Sequence, residues 1–83
     1  WLSAGFLIEE GFLIDDLREV VADMRKAADA AGVQIVTGDT KVVDSGAADG
    51  VYITTTGVGI VPAGRRLGAD LVAPGDKVIM SGT

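Results

Sequence analysis

The chain has 83 residues, 48% of them apolar, a formal charge of −5, and neither histidine nor cysteine. That length fits one small domain or part of a larger one, and so short a chain buries too little surface to be more than marginally stable alone. The acidic balance, with Arg65-Arg66 as the longest basic run, excludes an extended nucleic-acid footprint; the lack of His and Cys excludes imidazole bases, thiol nucleophiles and His/Cys zinc sites.

No apolar run approaches the ~20 residues that span a bilayer, and no signal peptide is legible. The absence of cysteine fits a reducing compartment, so a cytoplasmic location is expected. The aromatic residues are Trp1, Phe6, Phe12 and Tyr52, which leaves a core of Val, Ile, Leu and Ala.

In chain order, Trp1 to Ile8 reads as a buried strand. "GFLIEE" at 5–10 is nearly repeated as "GFLIDD" at 11–16. Solenoids need many copies of their unit, so the two stretches are read as different elements. Gly11 opens a turn, and Asp15 or Asp16 is expected to cap a helix. Ile14, Leu17, Val20, Val21, Met24, Ala27, Ala28 and Ala31 follow the i, i+3, i+4, i+7 rhythm of an amphipathic helix. Asp16 and Glu19 have capping-box spacing, and Gly32 supplies a left-handed helix end. The stripe narrows to alanine near that end, which lets the helix approach a sheet closely.

Val33 to Val43 reads as the next strand, "SGAADG" at 45–50 as a turn, and Val51 to Val61 as a strand weakened by Gly57 and Gly59. The last two strands are expected to pair as an antiparallel hairpin. Residues 62–75 read as loop with one short turn near Arg66 to Val72. "PGD" at 74–76 reads as a turn, and Lys77 to Met80 begins a last strand. The order is β-α-β-β-loop-β, an α/β (α+β) arrangement with one main helix.

The strands place apolar residues on both faces: Val36 and Val42 on one, Val33, Ile35 and Val43 on the other. A single helix covers one face, so the other is expected to meet a second copy or further chain. The chain opens at Trp1 without a methionine and closes inside a strand-like run, so it reads as a fragment or gene remnant.

"GVGIVP" at 57–62 opens like a dinucleotide fingerprint but lacks the third glycine and the following helix. No Walker A loop is present. What remains is "GDTK", Gly38 to Lys41. On a strand, Asp39 and Lys41 share a face about 6–7 Å apart. The carboxylate offers hard oxygens to Mg²⁺, the ammonium is a point charge for phosphoryl oxygens, and Gly38 admits a close backbone approach. The plain alternative is a pair of solvated charges on an exposed strand. Glu9 and Glu10 are a second candidate acid pair, with solvated charges at a strand end as the plain alternative, and Asp44 and Asp49 read as ordinary turn residues.

"LSAGFLIEEGF", then the helix, "AGVQIVTGDTKVVD", "DGVYITTTGVGIV" and "PGDKVIMSGT" together resemble the HypE family of hydrogenase maturation proteins, over essentially the whole chain. That family belongs to the PurM-like superfamily of aminoimidazole ribonucleotide synthetase. The resemblance implies a PurM-like N-terminal domain over residues 1–76, with 77–83 opening a second domain. It implies ATP and Mg²⁺ as cofactors, and an enzyme that dehydrates a carbamoyl group received from HypF. The resulting cyanide passes through the HypC–HypD complex to the iron of [NiFe]-hydrogenase. Gly38, Asp39, Thr40 and Lys41 fall on the family's nucleotide-handling motif: Lys41 would neutralise phosphoryl charge, and Asp39 would serve the metal or orient Lys41.

The superfamily's N-terminal domains dimerise through shared strands, which implies a homodimer here, joined through the strands that carry "GDTKVV" and "VYITTTGVGIV". The family's upstream acidic stretch, its glycine-rich loop after "SGT", its second domain and its terminal cysteine lie outside this sequence. Such a piece is expected not to catalyse alone. A non-catalytic dimerisation module, or part of a sister synthetase of the superfamily, stays open.

Overall fold

A computed structural model describes residues 1–80. Its elements are β1 (Leu2–Glu9), α1 (Ile14–Ala31), β2 (Ile35–Val43), β3 (Val51–Gly57) and a short 3-10 turn, Ala69–Leu71. Among the described residues the strands form one three-stranded sheet in the order β2-β1-β3. This is the expected α+β class, with a different strand order. β1 is central, parallel to β2 and antiparallel to β3, so β2 and β3 do not form a hairpin. The reason is the helix. A strand–helix–strand crossover brings its second strand back parallel to the first, and that pairing takes one edge of β1. The chain must then cross the end of β1, roughly two strand spacings or about 9.6 Å, to reach the other edge. Residues 44–50 make that crossing.

Helix α1 starts earlier than Asp15 or Asp16. Leu13 is its N-cap, with no side-chain cap bond, and the Leu17 amide donates to the Leu13 carbonyl at 3.0 Å. The two aspartates lie inside the first turn, where they face the helix's positive end without capping it. Gly32 closes the helix as expected, at φ 65°. In that left-handed conformation its amide reaches back to the Ala28 and Asp29 carbonyls. Leu17, Val20, Met24 and Ala28 are the helix residues withdrawn from solvent, spaced as one stripe. Arg18–Asp15, Arg25–Asp29 and Lys26–Asp23 pair on its exposed side.

β3 ends at Gly57, opposite Leu2; beyond it, Trp1 and Val58 exchange one further pair of bonds. The turns at 45–50 and 74–76 and the short turn before Val72 fall where expected. Lys77 to Met80 is not a strand: no sheet edge lies beside it, and Val78 is wholly exposed. Residues 81–83 of that expected strand lie outside the described residues.

Val36 sits in a bulge. Leu2 pairs with Ile35 but Ser3 pairs with Thr37, so one extra β2 residue is inserted. Past a bulge the alternation of faces flips, which places Ile35 beside Leu2 on the helix side. Val33, Ile35 and Val36 together line a cleft of about 580 Å³ with Ala4, Phe6, Met24 and Ala28. The expected split of Val36 from Val33 and Ile35 onto opposite faces is therefore wrong. The face away from the helix carries Ser3, Gly5, Leu7 and Glu9 of β1, Thr37, Asp39, Lys41 and Val43 of β2, and Tyr52, Thr54 and Thr56 of β3, so it is mixed: hydroxyls and charges stand around Leu7, Val43 and Tyr52.

Most of the uncovered apolar surface is on the helix side and along the loop, with Tyr52 exposed on the far face. Among the described residues only Ala4 and Ala28 are buried, while Val36 and Val42 are 58% and 63% exposed. The accessible surface is 7085 Å², against about 4,700 Å² for a compact chain of this mass. The radius of gyration is 17.2 Å, against about 12 Å for a compact domain of this length.

Candidate functional site

The sheet face opposite α1 is organised in cross-strand rows. One row reads Asp39, Gly5, Thr54; the next reads Lys41, Leu7, Tyr52. With Phe6, these residues line a shallow depression of about 220 Å³. The structure thus brings Asp39 and Lys41 to one place, as strand alternation predicts. Gly38 and Thr40 alternate to the other face, in register with Ala4 and Phe6.

Gly38 has a packing role. A Cβ there would collide with the carbonyl oxygen of Ala4, so the backbone that comes close is β1 itself. Thr40 contributes its backbone amide, which donates to Asp39 Oδ1 at 2.8 Å. That bond orients the carboxylate and leaves Oδ2 open. No ion pair joins Asp39 to Lys41 among the described residues, and both are exposed. Carboxylate and ammonium are both available to a ligand.

Among the described residues no group of three or more His, Cys, Asp or Glu could hold a metal ion. Mg²⁺ commonly takes one or two protein carboxylates and completes its shell with waters and substrate phosphates. Asp39 alone fits that mode as a single ligand, and does not fit a closed protein cage.

Glu9 is not a solvated end charge. Its Oε2 accepts from the Gly50 amide at 2.9 Å and its Oε1 from the Gly46 amide at 2.5 Å. Its own amide donates to the Gly50 carbonyl, and the Glu10 amide donates to Val43. The carboxylate ties the 44–50 crossing down over the end of β1. The Gly50 and then the Gly46 amide hold its pKa below the ordinary glutamate value. Reading the sequence alone picked out Glu9 but missed its amide partners, and it missed Gly5, Tyr52 and Thr54. The alternation in "VYITTTG" was the available signal for the last two, but it has no use until β1 is known to lie between β2 and β3.

A family model described as "AIR synthase related protein, N-terminal domain" matches residues 1–61. The chain belongs to this family. Within the AIR synthase related family, it is 57% identical to the carbamoyl dehydratase HypE of Rhodobacter capsulatus over 82 residues. The match takes in 99% of this chain and 24% of that protein, so the chain spans about a quarter of the curated relatives it matches. Among solved structures, E. coli HypE superposes with a TM-score of 0.79 at 47% identity, covering 87% of this chain and 22% of that one. A HypE–ATP complex has a TM-score of 0.64 at 61% identity, covering 65% of this chain and 16% of that one. A HypE–HypF complex also has 0.64, at 54% identity, covering 65% and 18%. Among the described residues, no helix is long and apolar enough to cross a membrane.

Proposed function

We propose that this chain is the part of a HypE-type ATP-dependent carbamoyl dehydratase that presents Asp39 and Lys41 to a magnesium-bound nucleotide. The observation that carries the reading is their pairing on one exposed face with no ion pair between them. Similarity to a HypE solved with ATP supports a nucleotide as the ligand of this reading. Lys41 then places its charge against phosphoryl oxygens, where a fixed cation stabilises developing negative charge. Asp39, oriented through the Thr40 amide, offers Oδ2 to the metal or to the Lys41 ammonium. In this reading bound ATP would supply a phosphoryl group to the oxygen of a thiocarboxamide, releasing ADP; loss of that oxygen as phosphate, with the nitrogen's two protons, would leave a thiocyanate. Gly38 and Thr40 belong to the site as its backbone frame.

The cyanide so made would serve [NiFe]-hydrogenase maturation in the cytoplasm, with HypF supplying the carbamoyl group and HypC–HypD receiving the cyanide. Residues 1–76 would form part of the N-terminal domain, and 77–83 would open the second. A homodimer would join through β2 and β3, the strands that carry Gly38 to Val43 and Val51 to Gly57.

Replacing the matching 82 residues of the R. capsulatus relative with this chain tests the reading. The chimera is expected to turn over ATP in a carbamoyl-dependent way, and the isolated chain is not. Full turnover by a Lys41→Ala chimera contradicts it. A non-catalytic dimerisation module is the second reading, favoured by the thin core. It predicts a folded chimera without turnover.

A further inference from the structure

Three glycines lie in the strands; backbone packing requires one of them and a side chain crowds a second. At Gly38 a Cβ would strike the Ala4 carbonyl; at Gly57 it would press on Leu2 Cδ2 at 3.2 Å. At Gly5 the nearest atom is the Thr54 carbonyl oxygen at 3.8 Å, an ordinary contact, and Gly5 is not among the positive-φ glycines. Packing and backbone geometry would accept alanine there. Glycine inside a strand costs roughly 0.5–1 kcal/mol relative to alanine, so this position gives up stability that the fold does not require. A strand glycine often marks a bulge, a tight bend or the close approach of a ligand or another chain; the bulge here is at Leu2/Ser3 and Gly5 pairs in regular register on both sides, which favours the close approach.

Its position says which. Gly5 lies on the central strand, with Asp39 beside it on β2 and Thr54 beside it on β3. The two outer strands are about 9.6 Å apart, and no side chain stands between them in this row. In the next row Leu7 separates Lys41 from Tyr52. The result is a notch with a glycine floor. One wall carries a carboxylate and an ammonium, the other two hydroxyls.

We propose that Gly5 is the floor of a subsite for the phosphoryl oxygens of a metal-bound nucleotide, and that Thr54 and Tyr52 form its second wall. This rests on the reading of Asp39 and Lys41 given above. The hydroxyls donate hydrogen bonds to the oxygens that Lys41 does not reach, and the carboxylate faces the cation. A side chain at position 5 would fill the space the oxygens occupy.

The test uses the chimera with the R. capsulatus relative, Mg–ATP as the probe in calorimetry, and melting and sedimentation as controls. Gly5→Val is expected to melt no lower than the parent, since β-branched residues favour strands. Its Mg–ATP affinity is expected to fall at least about tenfold, and Gly5→Ala is expected to show a smaller loss. Affinity within about twofold of the parent in folded Gly5→Val overturns the proposal. So does unfolding of Gly5→Ala, because the fold then needs the glycine. So does loss of the dimer together with affinity, because the notch then seats a protein chain. Lys41→Ala separates the two ideas. Affinity lost there but kept in Gly5→Val overturns the notch alone. Affinity kept there but lost in Gly5→Val overturns the role of Lys41 and leaves the notch.

Discussion

Replacing Gly38 by alanine puts a methyl group where the Ala4 carbonyl oxygen already sits. Carbon-to-oxygen contacts settle at about 3.3–3.6 Å, so β1 and β2 must separate by on the order of 1 Å. The obstacle is backbone, and backbone inside a ladder cannot rotate away as a side chain does. Overpacking of this kind costs typically about 1–3 kcal/mol, and the adjoining ladder bonds lengthen as well, which points to the upper end. A chain of this size holds about 4–12 kcal/mol in total, so the loss is a large share. Gly5→Ala is the control in the same strand pair, on the opposite face and with room for the methyl. It is expected to be neutral or to gain about 0.4–1 kcal/mol from the stiffer unfolded chain. The assay is urea unfolding followed by far-UV circular dichroism, at one fixed protein concentration because association contributes to stability. The expected difference between the variants is about 3 kcal/mol. Equal stabilities would refute the assignment of Gly38 to packing.

Glu9 predicts a local pH response. Its folded pKa is depressed by the Gly50 and Gly46 amides, so its stabilisation is complete above the unfolded glutamate pKa. It is lost as pH falls through the folded value. Amide exchange at Gly46 and Gly50, corrected for intrinsic rates, should speed up over that acid range, and Glu9→Gln should flatten the response. Gly32→Ala forces a Cβ into φ 65° at the helix end and is expected to cost about 1 kcal/mol by the same urea titration. Arg25→Ala removes a well-exposed pair with Asp29, and its expected cost is below about 0.5 kcal/mol. Sedimentation of the isolated chain should show self-association; a folded monomer at high concentration would contradict the dimer.

The helix, its glycine end, the turns and the shared face of Asp39 and Lys41 were legible because each follows from local periodicity or turn chemistry. The strand order was not. Placing β1 between β2 and β3 is a long-range choice, and neighbouring strands in sequence normally pair. The bulge at Val36 was equally hidden, since one inserted residue changes no composition yet moves Ile35 to the helix side. That shift made the far sheet face look more apolar in the sequence than it is: Val43, Leu7 and Tyr52 share it with threonines and the charged pair. Glu9 was read as solvated because its partners are backbone amides 37 and 41 residues away, which no local pattern marks. Tyr52 and Thr54 became site residues only through the register with Gly5 and Leu7.

The most direct test is calorimetric titration of Mg–ATP into the chimera and into its Lys41→Ala variant, with both shown to be folded and of the same oligomeric state. A fixed ammonium against phosphoryl oxygens predicts affinity at least about tenfold weaker without it. Equal affinities would mean that this strand face does not meet the nucleotide.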